Sequence, residues 1–276
     1  MVAPTRALPP SAPDLVKGTR MPARFLPAHP PKLHLVLMLA LTFSTGVLDA
    51  VGYLGLDRVF TANMTGNVVI LGMALMGGDN LPVLGPIVAL AGFMTGAMIS
   101  GRVLRPSTSG WNHRTTVLLV GVSSVMAVVA ILLLSGVNPR SSEALTVAIT
   151  GTLAVAMGLQ AATARHLNVR DVPTVVVTST ITGLAADSRL GAGTHPFWGR
   201  RLAAIGLIMA GAAVGAGFVQ LHLGFGVLLT ALLTLCVALL GMSATKRHAL
   251  QHSQETATPA PGPGAAVVSP DAEAGQ

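Results

Sequence analysis

The stretch "VFTANMTGNVVILG" at residues 59–72 joins a polar opening to an apolar segment. Four hydrogen-bonding side chains alternate around Gly66, namely Thr61, Asn63, Thr65 and Asn67. Non-helical backbone at membrane depth is tolerated only where it is buried in protein or faces a water-filled cavity. The alternation fits an extended entry into the membrane, and Gly66 permits a close approach or a turn. We therefore expect these polar groups either to line a cavity or to join helices through hydrogen bonds.

The composition indicates an integral membrane protein. Of the 276 residues, 51% are hydrophobic and 10% are charged, and the mean hydropathy is +0.68. Soluble domains carry roughly 25% charged residues, so this chain lacks the polar surface of a soluble globule. The net charge of +7 comes from basic residues that stand mostly singly between apolar runs. That pattern is typical of residues that orient membrane segments and excludes a nucleic-acid-binding surface.

Six apolar segments are long enough to cross a membrane, since a crossing takes roughly 20 residues. The charge-free run 202–245 supplies two of them, with a turn near "QLHLGFG", and the other four are 33–54, 81–101, 115–137 and 144–164. The membrane domain therefore extends over residues 33–245. Its predicted halves are 33–137 and 144–245. The predicted disordered cytoplasmic tails are 1–32 and 246–276.

Two shorter apolar segments, 59–78 and 172–186, decide the topology. The second reaches only about 22 Å at ~1.5 Å per residue, less than a hydrocarbon core of roughly 30 Å. If both segments dip in and return, Arg58 and Arg140 lie on one side and the other fifteen Lys and Arg residues on the opposite side. The positive-inside rule favours that arrangement. We predict an all-α protein of the bacterial inner membrane with six transmembrane helices, two half-membrane segments and cytoplasmic termini; eight spans are the alternative.

The two short segments stand at matching places in the two halves. Gly46 and Ala50 recur 112 residues later as Gly158 and Ala162, and the order of span, short segment, span, span repeats. Three spans per half predict halves of opposite orientation, an inverted 3+3 repeat. Short or interrupted segments at corresponding places in such repeats point to the binding site of secondary transporters.

Asp49 is an ionisable residue inside the first span. A charge there costs several kcal/mol unless it is paired or protonated, so such a residue is a functional candidate by default. Arg58 is its nearest basic neighbour on that side, and snorkelling of the carboxylate to the interface is the structural alternative. The predicted substrate-binding residues are Asp49, Thr61, Asn63, Thr65, Gly66, Asn67, Thr178, Thr180 and Thr182.

Sequence patterns for other chemistry are missing from the chain. It contains no Walker loop, no "GxSxG" and no "HExxH", and Cys236 is its single cysteine. His222 has no second His, Asp or Glu at the spacing of metal ligands. We predict neither enzymatic activity nor a cofactor nor a metal site.

The stretch "GVLDAVGYLGLDRVFTANMTGNVVILG" resembles the YoaK family of uncharacterised bacterial integral membrane proteins. In that family a Gly-x-x-Asp-Ala turn leads to Phe-x-x-Asn-Met-Thr-Gly-Asn, and the matching positions are Gly46, Asp49, Ala50, Phe60, Asn63, Met64, Thr65, Gly66 and Asn67. A later stretch, "GLQAATARHLNVRDVPTVVVTSTITGLAAD", resembles the second motif of the family, with Ala161 in place of Asn. The resemblance covers residues 35–243 and implies a multi-spanning inner-membrane protein.

The leading hypothesis for function is a secondary transporter or permease of a small solute, in which Asp49 couples transport to protons. The alternative is a non-transporting assembly or scaffold protein whose small residues bind partner helices. A membrane enzyme ranks third because no catalytic pair is visible. The predicted partners are the lipid bilayer, a small solute and protons; nucleic acid is excluded and homo-oligomerisation is left open.

Overall fold

The computed structural model describes residues 32–78, 80–107, 110–167, 177–188, 190–191, 193 and 198–257. In this part of the chain there are eight α-helices, a 3-10 turn at Pro139–Ser141 and no strand. The helices are α1 Lys32–Gly55, α2 Met64–Leu75, α3 Leu84–Leu104, α4 His113–Leu134, α5 Glu143–His166, α6 Val177–Ala186, α7 Trp198–Leu221 and α8 Leu223–Ala257.

Six of these helices are long and apolar enough to cross a membrane: α1, α3, α4, α5, α7 and α8. The helices α2 and α6 have 12 and 10 residues. At ~1.5 Å per residue they reach only about 18 and 15 Å, so neither crosses. The predicted fold class, six spans plus two short segments in an all-α protein, is confirmed.

The last helix extends past the predicted end of the membrane domain. The helix α8 continues to Ala257, beyond the domain boundary predicted at residue 245. Residues 246–257 include Ala, Leu, Gln and Glu, which favour a helix. The rest of the predicted tails, and the first residues of the second short segment at 172–176, lie outside the described residues.

Glycines allow two pairs of helices to cross at close range. A Cβ atom on Gly46 of α1 would overlap the backbone carbonyl of Ile208 on α7, and one on Gly158 of α5 would overlap that of Phe93 on α3. Small residues at such crossings bring helix backbones together and allow extensive van der Waals contact in a bilayer. The sequence repeat that relates Gly46 to Gly158 thus coincides with two equivalent crossings.

The helix pairs of the two halves correspond. The helix α1 packs on α7 and α8, and α5 packs on α3 and α4; α2 packs on α3, and α6 packs on α7. The end of α1 lies beside the start of α5, because the Arg140 Nη2 atom donates to the Leu54 carbonyl at 2.9 Å. The first spans of the two halves therefore run in opposite directions, as an inverted repeat requires. The inverted repeat of the whole chain stays a prediction.

Polar side chains join three spans in the interior. The Thr234 hydroxyl of α8 donates to Gln160 Oε1 of α5 at 3.1 Å, and Gln160 Nε2 donates to the Ser44 hydroxyl of α1 at 3.4 Å. All three side chains are buried. Hydrogen bonds of this kind hold helices in register where lipid provides no hydrophobic force between them.

We expect Gly158→Ala to lower the stability of the purified protein by about 1–3 kcal/mol, because the added methyl group overpacks the α3–α5 crossing. The control is Gly121→Ala on α4, where nothing lies within 4 Å of the added Cβ. That change should be neutral or add about 0.5–1 kcal/mol, since it removes a helical glycine. Thermal unfolding in detergent measures both, and equal melting temperatures would contradict the crossing.

Candidate functional site

The loop between α1 and α2, residues 56–63, is held by the carboxylate of Asp49. Its Oδ1 atom accepts hydrogen bonds from the N–H groups of Thr61 at 3.0 Å, Ala62 at 2.7 Å and Asn63 at 3.3 Å. The Thr61 hydroxyl donates to the same oxygen at 3.3 Å. These N–H groups precede the first turn of α2 and take no part in the hydrogen bonds of that helix. Hydrogen bonds to an ionised acceptor are roughly twice as strong as neutral ones.

Asp49 does not pair with Arg58, its nearest basic neighbour in the sequence on that side of the membrane. Arg58 is exposed, and it forms no ion pair with Asp49. Arg58 and its neighbour Asp57 both have a φ of +58°, which turns the chain sharply after α1. The backbone of the loop therefore returns toward Asp49 and presents its N–H groups, whereas the Arg58 side chain is exposed.

Asn67 fixes the other side of the same loop. Its Oδ1 atom accepts the Phe60 N–H at 2.9 Å, and its Nδ2 atom donates to the Phe60 carbonyl at 2.7 Å. One buried carboxamide thus satisfies both polar backbone groups of Phe60. The ring of Phe60 stacks on Tyr53 with centroids 4.9 Å apart. A Cβ atom on Gly66 would lie 2.7 Å from the Phe60 ring, so only glycine leaves room for this packing.

Helix α2 begins earlier than the sequence predicts. Asn63 is its N-cap, and the Asn63 Oδ1 atom accepts the Gly66 N–H at 3.2 Å. The extended entry predicted through residues 61–67 is wrong, because Asn63 starts a helix and only residues 59–63 are irregular. Of the alternating polar residues, Asn63 therefore caps helix α2 and Asn67 forms hydrogen bonds with the backbone of Phe60.

The structure divides the predicted substrate-binding residues into two groups. Five of them meet around the α1–α2 loop: Asp49, Thr61, Asn63, Gly66 and Asn67. Thr65 is close to them in the chain, but its side chain is exposed on α2. The remaining three, Thr178, Thr180 and Thr182, lie on α6.

Helix α6 is held at the opposite end of the bundle. The Arg201 Nη1 atom, near the start of α7, lies 2.6 Å from Asp187 Oδ2 at the end of α6. Thr180 is buried, and the Thr182 hydroxyl donates to the Thr178 carbonyl at 2.9 Å. Since α7 runs parallel to α1, its start lies far from the α1–α2 loop. A binding site shared by the α1–α2 loop residues and the three threonines of α6 stays a prediction.

A cavity of about 370 Å³ adjoins the α1–α2 loop. Its walls are the loop, the start of α3 and the first turns of α5, and it contains the charged residues Asp57, Arg140 and Glu143. Thr150 also lines the cavity; its side chain is fully buried and its Oγ1 atom has no hydrogen-bond partner. Buried polar atoms nearly always have a partner, so such an atom calls for water or a ligand.

Sequence reasoning missed Arg140, Glu143 and Thr150 as site residues. At the level of the sequence, Arg140 was used only to orient the spans. Its signal was that Arg140 and Arg58 are the two basic residues assigned to one side of the membrane. Glu143 and Thr150 carry no local signal that separates them from ordinary residues of a helix. Among the residues that the structure describes, no three His, Cys, Asp or Glu side chains form a group that could hold a metal ion.

Comparison with known proteins identifies a family and a transmembrane relative of this chain. The model of a family described as a protein of unknown function, DUF1275, matches residues 37–241. The chain belongs to the DUF1275 family. A DUF1275 relative in Bacillus subtilis (strain 168), the UPF0700 transmembrane protein YoaK, is 30% identical over 152 residues. That match covers 55% of this chain and 65% of the relative, which is less than two thirds of its length. No solved structure matches this chain.

We expect Asp49→Ala to destabilise the protein strongly, because it leaves the buried N–H groups of Thr61 and Ala62 without an acceptor. Each orphaned donor costs about 1–3 kcal/mol. Asp49→Asn keeps an acceptor oxygen but loses the charge, so its effect should be smaller. Hydrogen exchange of the amides at 61–63 should accelerate most in Asp49→Ala. Asp57→Asn, the same change at an exposed site, is the control; unchanged exchange in Asp49→Ala would contradict the anchor.

Asn63 and Asn67 should respond oppositely to the same substitution. At Asn63 the side chain only accepts a hydrogen bond, so Asn63→Asp should be neutral or slightly stabilising at a helix N-terminus. At Asn67 the side chain also donates to Phe60, so Asn67→Asp should cost about 1–3 kcal/mol or more. Melting temperatures of the two variants in detergent test this. The same loss in both would show that the donor at Asn67 has no role.

Proposed function

We propose that the protein is a secondary transporter or permease that moves a small polar solute across a bacterial inner membrane. The observation that carries the proposal is the buried, unpartnered hydroxyl of Thr150 in the cavity beside the α1–α2 loop. An unmade hydrogen bond of this kind costs about 1–3 kcal/mol, and a solute in the cavity would form it.

The size and charges of the cavity support a polar solute. Its volume of about 370 Å³ falls within the roughly 300–1,000 Å³ of small-molecule sites. Asp57 and Glu143 provide negative charge and Arg140 provides positive charge, and these three residues form no ion pairs with one another. Their charges are therefore available to a solute that carries both signs.

The loop gives the proposal a route for coupling to protons. The half-membrane helices α2 and α6 occupy corresponding places in the two halves, as in transporters with interrupted segments. Protonation of Asp49 would remove the charge that holds the N–H groups at 61–63. The loop lines the cavity, so release of the loop would change access to the solute.

A scaffold protein is the second candidate, and one surface of α7 favours it. A Cβ atom on Gly206 or Gly217 would meet nothing within 4 Å, and Ala210 and Ala213 are exposed between them. Small residues on an open helix face permit the close approach of a partner helix, from another protein or from a second copy of this chain.

We expect Thr150→Val to lower solute uptake several-fold without lowering stability. The change is nearly isosteric and removes only the unpartnered hydroxyl, so the melting temperature should stay equal or rise. The measurement is uptake from a mixture of amino acids, sugars and organic acids into proteoliposomes, followed by mass spectrometry. The control is Thr152→Val on the same helix, whose hydroxyl is exposed and bonds only to Ala148. Absence of any uptake by the wild-type protein would favour the scaffold.

The distribution of basic residues supports cytoplasmic termini. Among the described residues, Arg58 and Arg140 are at the end of the bundle with the α1–α2 loop, and the basic side chains near the other helix ends include Arg102, Arg114, Arg165 and Arg201. By the positive-inside rule the second end faces the cytoplasm. Reporter fusions after Gly78 should therefore report the outer side, and fusions after Arg189 the cytoplasm. The opposite pair of signals would reverse the orientation.

A further inference from the structure

A second cavity, of about 320 Å³, lies at the same end of the bundle and shares Arg140 with the first. It is bounded by the ends of α1 and α4, the turn before α5 and the junction of α7 with α8. Its apolar lining comes from Leu133, Val137, Val219 and Leu223. Its polar side chains are Asn138, Arg140 and His222. Asp57 and Glu143, the acidic residues of the first cavity, do not line this one.

His222 presents a hydrogen-bond donor. The Gly224 N–H at the start of α8 donates to His222 Nδ1 at 3.2 Å, so Nδ1 is the acceptor nitrogen of a neutral ring. The ring proton is then on Nε2, which is a donor. Phe225 packs edge-on against the ring with centroids 5.8 Å apart and so fixes its orientation.

Arg140 and Asn138 add further donors. One N–H group of the Arg140 guanidinium is bound to the Leu54 carbonyl, and a guanidinium has five such groups. No carboxylate of the described residues pairs with Arg140. The Oδ1 atom of Asn138 accepts the backbone N–H of Arg140 at 3.0 Å, which leaves the Asn138 NH₂ group as a donor. The polar side chains of the cavity therefore offer donors and one permanent positive charge.

We propose that this second cavity binds a small monocarboxylate with a short apolar chain. Arg140 binds the carboxylate through charged donors, which form the stronger hydrogen bonds to it, and the neutral His222 ring adds its Nε2 donor. The apolar lining accommodates the chain. The two cavities share only Arg140, and binding of a carboxylate here does not require that the protein transports.

The probe for this site is butyrate, titrated by calorimetry against the full chain in nanodiscs of phosphatidylcholine. The decisive variant is His222→Asn, because the Asn Oδ1 atom can replace Nδ1 as the acceptor for Gly224 while the Nε2 donor is lost. We expect the affinity for butyrate to fall about tenfold, because the variant loses one hydrogen bond to a charged group. His113→Asn, the same change at the exposed start of α4 and at the other end of the bundle, should leave butyrate binding unchanged. Arg140→Gln should abolish it.

Two results would overturn the assignment. Equal binding of butyrate by wild type and His222→Asn would exclude the imidazole from the site. Equal binding of butylammonium, which has the same chain and the opposite charge, would exclude recognition of the carboxylate. A further experiment distinguishes a carboxylate ligand from inorganic phosphate and from a lipid headgroup. Loss of butyrate binding in nanodiscs with phosphatidylglycerol, or displacement by inorganic phosphate at equal concentration, would assign the cavity to a phosphate or lipid headgroup instead.

Discussion

The carboxylate of Asp49 binds three consecutive backbone N–H groups in a place where little water can replace it. At the end of an apolar helix an unpaired carboxylate and unpaired N–H groups are each expensive. Their mutual hydrogen bonds remove both costs together. The position of the α1–α2 loop follows from this contact. The loop in turn sets where α2 starts and how its first turn meets Phe60, and it provides one wall of the larger cavity.

Among the residues that the structure describes, the short helices of the two halves are held by different contacts. Helix α2 is fixed at its beginning, by a carboxylate that binds backbone amides. Helix α6 is fixed at its end, by the ion pair between Asp187 and Arg201. The helix crossings are alike in both halves, since Gly46 and Gly158 each bring two spans into backbone contact. The correspondence between the halves is therefore clearest in the packing of the long helices.

The membrane architecture could be predicted from sequence because segment length and the cost of buried charge are local properties. The same reasoning identified Asp49 as a residue that needs a partner. It could name only Arg58, the nearest basic neighbour, because opposite charges are visible in a sequence, whereas a returning backbone is not. The extended entry failed for a related reason: Asn63 can alternate in a strand or cap a helix, and the pattern of polar residues fits both. The cavities could not be predicted, because residues as distant as Val59 and Thr150 meet only in the folded chain.

Arg140 lines both cavities while one of its N–H groups binds the end of α1. A single guanidinium cannot present its full charge to two ligands, so an anion bound in one cavity would lower the attraction that the other exerts on a second anion. Thermodynamic linkage makes the effect reciprocal and equal in free energy. Two neighbouring sites that share one cation thus form an antagonistic pair without any movement of the helices.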